Sequence, residues 1–363
     1  MVASGSAVSE ALIEITTRQA WDDLLTGRSR AHLLQSWAWG ELKGRFGWEP
    51  IRLCARDAIG RSVLAQALIR RQLGMSVIYV PRGPVWSGVA QLDHLLLHGL
   101  IRLARRRRAA FLRLEPNMLE SDPETQTLHT SLLLHGFEPA EPLQPRTTIH
   151  LDLRASPDDL LSNMSKGHRA DIKRAARKGV KVRAGQGPAD LATFYRLMEE
   201  TAQRAGFAIH SREYYSAAMD LVDKAAPGAA RLLLAEREGQ TLAAFLIFGW
   251  GDEAQYMYSA SSQDGLRIGA NHLLQWESIQ WARQQGCRIY DFWGIPDALG
   301  EAALTEDPTE RERLEEEGHS HPLAGVYRFK KGFGGYVARY IPAYDYVFIR
   351  PAYWIWQRRR GGA

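Results

Sequence analysis

Cysteine is scarce in this chain, which has only Cys54 and Cys287 among its 363 residues. The two lie far apart in apolar, strand-like stretches, without a CxxC pair or the Cys/His spacing of a zinc site. This scarcity excludes a disulfide scaffold and a cysteine-based metal centre. We predict two free, buried thiols and no bound metal.

Long apolar runs are lacking as well. Hydrophobic residues make up 45% of the chain, but no stretch approaches the roughly 20 apolar residues that span a bilayer. The N-terminal stretch through Thr17 has neither the basic segment nor the continuous apolar core of a secretory signal. The sequence therefore predicts a globular, cytoplasmic protein, and its length fits two domains better than one.

Familiar catalytic motifs are also missing. No nucleophile elbow, zinc-binding helix, Walker loop or Rossmann fingerprint stands in a matching strand and helix context. Lysine, in contrast, is rare and clustered, with eight lysines among the 46 basic residues. An ammonium is a compact point charge and differs chemically from the planar guanidinium, so the clustering hints at positions that need an ammonium.

Strand and helix patterns occur twice in the same order. In each half, strands are followed by a long helix, a further strand and a last helix that closes with a Gly-Phe pair, Gly136-Phe137 or Gly332-Phe333. This order predicts mixed α/β domains and not helical repeats. We predict a first domain over 1–150, completed by the tail 338–363, and a second over 151–337, in which the polar segment 297–322 is a mobile flap or insertion.

The stretch GVYRFKKGFGG, which follows DFWGIPD after that polar segment, is the most informative. It places Lys330 and Lys331 between aromatic residues and a run of glycines, a composition suited to holding an anionic group against closely approaching backbone. The alternative is that both lysines are solvated residues at a helix C-terminus, where the helix dipole favours cations.

A basic stretch from Lys166 to Arg183 carries eight lysines and arginines against one acid. On a helix, four of its residues would form a ridge suited to a polyanion. The four ridge residues are Arg169, Lys173, Arg177 and Lys181. Lys166, at the start of the same stretch, is a further candidate for contact with the polyanion. An ordinary solvated helix face is the alternative.

Tyrosines and carboxylates complete the set of candidates. Tyr256 and Tyr258 alternate with Met257, so we expect both to face one side of a strand and either to donate to substrate oxygens or to pack in the core. Glu115 and Asp291 end equivalent strands of the two repeats. Either could cap its strand, orient an attacking amine or accept its proton.

These motifs carry a family resemblance. The strand-helix-strand unit with RIGANHLL and a following helix that ends in Gly-Phe resembles the GNAT acyltransferase fold. Two such units, with QSWAWGELKGRFGW near the start and DFWG and GVYRFKKGFGG near the end, resemble the FemABX family of peptidoglycan bridge-forming aminoacyltransferases. The resemblance implies tandem GNAT-like domains with mixed sheets flanked by helices, and a role in cell-wall biogenesis and cell shape.

The resemblance also implies a reaction, in which an amine of a peptidoglycan precursor, bound in the cleft between the domains, attacks the ester of an aminoacyl-tRNA. Lys330 stands at the lysine of the family's Phe-Lys motif, which implies that its ammonium stabilises the oxyanion formed in this attack. No cofactor is expected, because the ester is already activated. The tRNA is expected on the basic ridge.

Further residues are expected to bind the acceptor. Lys43, in the N-terminal motif, is expected either to reach its phosphates or to be an ordinary surface lysine. Tyr214 matches a tyrosine that faces the nucleotide-sugar substrate in relatives, with core packing as the alternative. His210 stands where at least some relatives carry an arginine that contacts phosphate. Glu115 matches an acidic position in the family. Trp293 and Arg328, in the last two motifs, are predicted to bind substrate as well.

Two other functions compete. An acyl-CoA dependent N-acyltransferase would use a pyrophosphate-binding loop, of which RIGAN (267–271) is a partial version. A non-catalytic protein that binds nucleic acid or an anionic membrane would use the basic ridge without Lys330. The arginine clusters at 105–108 and 358–360, with the aromatic YWIW, also suit peripheral contact with the inner membrane face, although they could simply aid solubility.

Overall fold

A computed structural model describes residues 10–72, 74–225 and 230–360. Residues 1–9, part of the stretch in which no secretory signal is expected, lie outside these ranges. Contacts divide the chain into two compact units, Met1–Gln144 with Tyr340–Ala363 and Pro145–Arg339. Within the described ranges, no helix has both the length and the hydropathy needed to cross a bilayer. Cys54 and Cys287 are free and buried.

The N-terminal part of the first unit alternates strands and helices. Its elements are β1 (Ala11–Glu14), α1 (Arg18–Leu25), a short 3₁₀ helix (Leu33–Gln35), α2 (Trp37–Arg45), β2 (Glu49–Arg56), β3 (Ser62–Gln72), β4 (Met75–Val80), α3 (Ala90–Arg106), β5 (Ala109–Leu114), α4 (Thr125–Leu134) and β6 (Glu138–Ala140).

The second unit follows, and then two elements return to the first. The elements of the second unit are β7 (Thr147–Asp152), α5 (Pro157–Asn163), α6 (Lys166–Arg177), β8 (Lys181–Ala184), α7 (Gly187–Ala205), α8 (Arg212–Ala225), β9 (Ala230–Arg237), β10 (Gln240–Trp250), β11 (Glu253–Ser261), α9 (Gln263–Ile268), α10 (Ala270–Gln284), β12 (Ile289–Gly294), α11 (Asp297–Leu304), α12 (Pro308–Ser320), α13 (Ala324–Lys331) and β13 (Tyr336–Arg339). The returning elements are β14 (Ala343–Val347) and α14 (Arg350–Arg360).

Each unit contains one seven-stranded mixed sheet. The strand orders are β1-β2-β3-β4-β5-β14-β6 and β13-β7-β12-β11-β10-β9-β8. The parallel pairs β4–β5 and β11–β12 stand among antiparallel ones. A parallel connection needs a crossover, which the long helices α3 and α10 supply. The predicted α/β class, with mixed sheets flanked by helices, is confirmed.

A buried ion pair fixes the C-terminal tail in the first unit. On β5, whose six residues are all buried, Arg113 donates to both carboxylate oxygens of Asp345 on β14, at 2.7 and 2.5 Å. The Tyr353 hydroxyl on α14 adds a third donor at 2.6 Å. Because the pair is almost completely buried, leaving either charge unpaired would cost several kcal/mol. The Arg113–Asp345 pair therefore fixes the position of β14 beside β5 in the sheet.

The polar segment 297–322, predicted as a mobile flap or insertion, contains two helices. It forms α11 and α12, whose buried residues include Leu299, Ala302 and Leu314. A Cβ on Gly318 would lie only 2.4 Å from a side-chain carbon of Leu299, which shows how closely the two helices pack. The segment reads as polar because its apolar residues are few, yet these suffice to bury one face.

Candidate functional site

Lys330 lies in the last turn of α13 and is only 6% exposed. Its Nζ donates to the backbone carbonyls of Gly294 at 2.6 Å and Trp293 at 3.2 Å. The ring centroid of Tyr256 lies 5.9 Å from the same nitrogen. An ammonium has three N–H donors, and one has no protein acceptor in the described part of the chain. A buried cation with a donor to spare can bind an oxyanion.

The neighbouring Lys331 has a different environment. It is exposed, and its ammonium lies 5.3 Å from the ring centroid of Tyr327 on the same helix. Arg328 is also exposed, on the outer side of α13. The solvated helix C-terminus considered for both lysines therefore describes Lys331 and not Lys330.

Contacts with α6 fix the end of α13. The His168 ring bonds the carbonyl of Phe329 through Nε2 at 2.8 Å, and its Nδ1 lies 2.9 Å from the Ser165 hydroxyl. A Cβ on Gly332 would lie 1.9 Å from this ring, so glycine is required where the imidazole meets the backbone. The Ser165 amide also donates to the Gly332 carbonyl. These contacts hold the turn that carries Lys330.

The carbonyls that face Lys330 come from an irregular end of β12. Trp293 adopts φ of +61°, which is uncommon for a residue other than glycine. The Asp291 carboxylate stabilises this conformation by accepting from the Trp293 amide at 2.7 Å. The single proton of the Thr148 hydroxyl is shared between Asp291, which has the shorter contact, and the Trp293 carbonyl at 3.0 Å. The irregularity turns two successive carbonyls toward one ammonium.

Asp291 is the charge that opposes the desolvation of Lys330. Burial lowers the pKa of the Lys330 ammonium to about 7, while the nearby Asp291 carboxylate acts to raise it. The Asp291 side chain is 1% exposed, and its Oδ2 accepts no hydrogen bond from the described residues. That oxygen lies 3.9 Å from His150 Nε2. The predicted strand-end position is wrong, because Asp291 is the third residue of β12, where pairing becomes irregular.

Tyr256 and Tyr258 do not face the same side, contrary to the sequence prediction. A β-bulge places Tyr256 opposite Ile247 and Tyr258 opposite Leu246. Because Leu246 and Ile247 are adjacent on β10, their partners point to opposite faces. Met257 is the extra residue that breaks the alternation. Only Tyr256 is therefore near Lys330.

Tyr258 belongs to a second aromatic group. Its ring packs against Tyr215 at 5.1 Å between centroids, and it hydrogen-bonds Tyr214. His210 stacks on Tyr214 at 3.9 Å. Burial raises the pKa of Tyr214 to about 12, so its hydroxyl stays protonated and can donate. Of this group, His210 is exposed while Tyr214 is 4% exposed. The imidazole is thus the part that a solute can reach.

The predicted basic ridge is shorter than expected. Helix α6 ends at Arg177, and Lys181 begins β8 after a turn at Gly179 with φ of +79°. Arg169 does not project freely, because it donates to the carbonyls of Ser162 and Met164 at the end of α5. Lys166, Lys173 and Arg177 are exposed on α6.

These contacts separate a structural arginine from the surface cations. We expect Arg169→Ala to lower the free energy of unfolding by about 1–3 kcal/mol, because carbonyls at the end of α5 lose their donor. Lys173→Ala should change stability by less than about 0.5 kcal/mol. Urea unfolding of both variants measures the difference, and equal losses would contradict the assignment.

Lys43 lies on α2 of the first unit and is half-buried. Its ammonium is 5.1 Å from the ring centroid of Trp39. Burial, and then repulsion by Arg70, lower the pKa of Lys43 to about 8. Arg70 in turn lies over Trp48 at 5.6 Å. Two cations held near each other against indole rings suit an anionic group such as phosphate.

Glu115, directly after β5, is 4% exposed and serves as an acceptor for its own unit. Its oxygens accept from the Tyr79 hydroxyl at 2.7 Å, from the Gln144 amide at 3.2 Å and from the amide of Leu143. Burial raises its pKa, against these donors and the nearby Arg82. Glu115 thus holds the chain at 143–144, and its role as a base stays a prediction.

Three further residues at these sites are not predicted from the sequence. Thr148 and His150 on β7 approach Asp291, and Arg82 with φ of +47° lies 3.6 Å from the Tyr340 ring centroid near Glu115. The local sequence marks them only weakly, because they meet their partners in the folded chain. The alternation Thr148, His150 in the buried strand TTIHLD is the one signal available.

The chain matches a known protein family along most of its length. The model of the FemAB family matches residues 16–236 and 228–358. The chain belongs to the FemAB family. The family expected from the sequence is thereby confirmed.

Named relatives of this FemAB protein act on peptidoglycan precursors. The UDP-N-acetylmuramoylpentapeptide-lysine N(6)-alanyltransferase of Weissella viridescens is 28% identical over 296 residues, which cover 76% of this chain and 84% of the relative. The lipid II:glycine glycyltransferase of Staphylococcus aureus (strain USA300) is 24% identical over 415 residues, with 93% of each chain covered.

Solved structures agree on the fold. A crystal structure of FemX matches with a TM-score of 0.80 at 22% identity, covering 95% of this chain and 99% of that one. A tandem GNAT protein from the clavulanic acid pathway matches with a TM-score of 0.53 at 14% identity, covering 93% and 98%. The expected tandem GNAT-like architecture is confirmed.

Proposed function

We propose that this FemAB protein transfers an amino acid from aminoacyl-tRNA to an amine of a peptidoglycan precursor stem peptide. The names of its relatives bear out the class of activity, aminoacyl transfer to a peptidoglycan precursor. The observation that carries the catalytic proposal is the buried ammonium of Lys330, which has one N–H donor without an acceptor among the described residues.

The chemistry follows from that ammonium. An amine of the stem peptide attacks the ester carbonyl, and the carbonyl oxygen becomes an oxyanion. Lys330 donates its third N–H to that oxygen. When the tetrahedral intermediate collapses, the amide forms, the C–O bond to the 3′-oxygen of the tRNA ribose breaks, and the proton lost by the attacking nitrogen passes to that leaving oxygen. A fixed donor in a dry site is worth about 3 kcal/mol in such reactions. The ester carries its own activation, so the proposal needs no cofactor.

The acceptor is proposed to bind through its phosphates and sugar. Lys43 would contact phosphate, and His210 and Tyr214 would contact the nucleotide or sugar part. The half-buried Lys43 beside Arg70 and the exposed imidazole of His210 support these roles. Tyr258 is proposed as support for Tyr214 through their hydrogen bond. Exposed Arg328 and the half-buried Trp293 are proposed to meet substrate near Lys330.

Transfer-RNA is proposed to contact the exposed face of α6. Lys166, Lys173 and Arg177 share that face, while Lys181 extends it from β8. We expect the Lys173→Ala/Arg177→Ala double variant to weaken tRNA binding several-fold and to reduce the salt dependence by about two ions, one for each lost phosphate contact. Filter binding between 50 and 200 mM salt measures both. An unchanged salt slope would contradict the assignment.

Contact with the inner membrane face is proposed through α14. Trp354 and Ile355 are 61% and 57% exposed, and Arg358 is exposed beside them, while the Arg359 and Arg360 side chains lie outside the description. We expect binding to vesicles with anionic lipid, and at least a threefold loss in Trp354→Ser/Ile355→Ser. Flotation measures it. Equal binding by the exposed-loop control Ile59→Ser and by the double variant would exclude α14.

The acyl-CoA alternative has a structural obstacle. Its pyrophosphate would have to bind at the N-terminus of α10, where Gly269 has φ of +83°. A Cβ at Gly269 would lie 2.9 Å from the backbone oxygen of Asp171, and the Asp171 carboxylate lies 3.6 Å from His272 on α10. An acidic residue therefore occupies the place that an anion would need.

One experiment tests the proposed function. The protein is incubated with total tRNA charged with amino acids and with either nucleotide-linked or lipid-linked muropeptide, and the products are weighed by mass spectrometry. We expect one acceptor to gain the mass of an amino-acid residue. Transfer from acetyl-CoA instead, or tRNA and vesicle binding without any product, would replace the proposal by one of its two alternatives.

A further inference from the structure

Three histidines of the first unit converge on the surface of α3. His94 and His98 are one helical turn apart on that helix, and His135 directly follows α4. One ring nitrogen from each lies within 4.8 Å of the other two. The Nδ1 of His94 is 2.8 Å from the Nε2 of His135. None of the three contributes to the contacts around Lys330, Lys43 or Glu115.

We propose that His94, His98 and His135 bind a Zn²⁺ ion. In a tetrahedral site with Zn–N bonds of about 2.0–2.1 Å, ligand nitrogens lie about 3.3 Å apart. The ligand nitrogens now lie within 4.8 Å of one another. Small rotations of the His94 and His98 rings can bring them to the spacing of about 3.3 Å, because both rings are exposed and have room to turn. Ring centroids between 4.2 and 5.7 Å apart also bracket the value of about 5 Å that three imidazoles around one ion require.

The ring of His135 is already oriented for a ligand. Its Nδ1 lies 2.7 Å from the carbonyl of Ser131. A carbonyl only accepts, so Nδ1 carries the proton and Nε2 presents its lone pair to His94 and His98. Ligating histidines almost always have such a second contact, which fixes tautomer and ring direction.

The chemistry of the donors restricts which ions the site can bind. A set of imidazoles suits zinc, copper and nickel, whereas calcium and magnesium prefer oxygen ligands. The three rings open on a cavity of about 400 Å³, which Arg102 and Arg105 also line. These two cations weaken the site for a bare ion but favour an anionic fourth ligand, such as hydroxide. The proposal therefore departs from the sequence expectation that no metal binds.

Zinc here would join α3 to the end of α4. Because the ion binds only the folded arrangement, its binding stabilises that arrangement by mass action. The expected result is one Zn²⁺ per chain in untagged, chelator-treated full-length protein, by titration calorimetry and by elemental analysis after dialysis. We also expect saturating zinc to raise the melting temperature.

Substitutions test the ligands one at a time. His94→Gln, His98→Gln and His135→Gln should each weaken zinc binding at least tenfold, and the triple variant should lose the zinc-dependent rise in melting temperature. His319→Gln is the matched control, since it removes an exposed imidazole from α12 in the other unit. His135 also bonds the Ser131 carbonyl, so His135→Gln could misfold. If circular dichroism shows that it does, the variants of the two exposed α3 histidines, His94→Gln and His98→Gln, decide whether the site binds zinc.

Three results would overturn the proposal. The first is zinc binding by the wild type no tighter than by the triple variant. The second is an equal loss in His319→Gln. The third is stabilisation by inorganic phosphate in the presence of chelator, dependent on these three histidines and without any effect of zinc, which would make the cavity an anion site.

Discussion

Replacing Lys330 by methionine should reduce turnover at least a hundredfold and yet make the protein more stable at pH 6. The loss follows from the oxyanion role, in which one fixed donor contributes about 3 kcal/mol to the transition state. The gain follows from burial, because methionine fills the same space without a charge. A lysine that served only the fold would show the opposite pattern.

The gain in stability has a defined pH dependence. Burial lowers the Lys330 pKa from 10.5 to about 7, so below pH 7 the folded protein carries the full cost of the buried ammonium. From pH 7 to about 10.5 the unfolded chain binds the extra proton, and wild-type stability rises. This pKa shift corresponds to at most about 5 kcal/mol of folding stability, which the wild type lacks at pH 6 and has above pH 10.5.

Lost hydrogen bonds offset part of that gain. The Gly294 and Trp293 carbonyls both lose the Lys330 donor, and the Trp293 carbonyl keeps only a share of the Thr148 hydroxyl proton, whose shorter contact is with Asp291. An unsatisfied carbonyl costs about 1–3 kcal/mol. We therefore expect Lys330→Met to be about 1–3 kcal/mol more stable than the wild type at pH 6, with the difference shrinking toward pH 10. Urea unfolding at several pH values measures it.

Lys331→Met is the matched control. Lys331 is the next residue of α13 but is exposed, so this variant should retain at least half of wild-type turnover and show no pH-dependent gain. If Lys330→Met lost less than tenfold in turnover, or lost stability at pH 6, the buried ammonium would not be the catalytic group.

The sequence predicts the fold well because each repeat encodes it locally. Strands such as AAFLRL and TLAAFLIFGW are apolar enough to be buried on both faces, and the long helix between parallel strands is amphipathic in α3. Lys330 is also predictable, since the glycines and aromatics around two adjacent lysines are unusual. Which of the two lysines is buried is seen only in the structure, where Ala324, Tyr327 and Lys330 form the buried side of α13.

Other parts of the site depend on contacts that no local pattern carries. One extra residue, Met257, sends Tyr258 to the face opposite Tyr256. Arg169 reads as a surface cation, yet its guanidinium caps α5. His135 joins His94 only because α4 ends beside α3. In each case tertiary packing decides, and a single sequence offers no signal for it.

Asp291→Asn should lower turnover more than tenfold at pH 7.5, and the deficit should narrow as the pH falls toward 6. The carboxylate of Asp291 acts to raise the Lys330 pKa, so its removal lets that pKa fall below about 7. A smaller fraction of the Lys330 side chains is then protonated at pH 7.5. A lower pH restores the protonated fraction and, with it, turnover. The asparagine oxygen can still accept from the Trp293 amide and the Thr148 hydroxyl, which preserves the geometry.

The ratio of variant to wild-type turnover at each pH separates two roles of Asp291. If its carboxylate instead accepts the proton of the attacking amine, the ratio stays low at every pH, because asparagine cannot be a base. Asp297→Asn is the control, since Asp297 is exposed and accepts from the Thr147 hydroxyl, as an amide oxygen also can. A ratio near one at every pH would show that Asp291 has no role in the mechanism. Another group would then have to stabilise the charged form of Lys330.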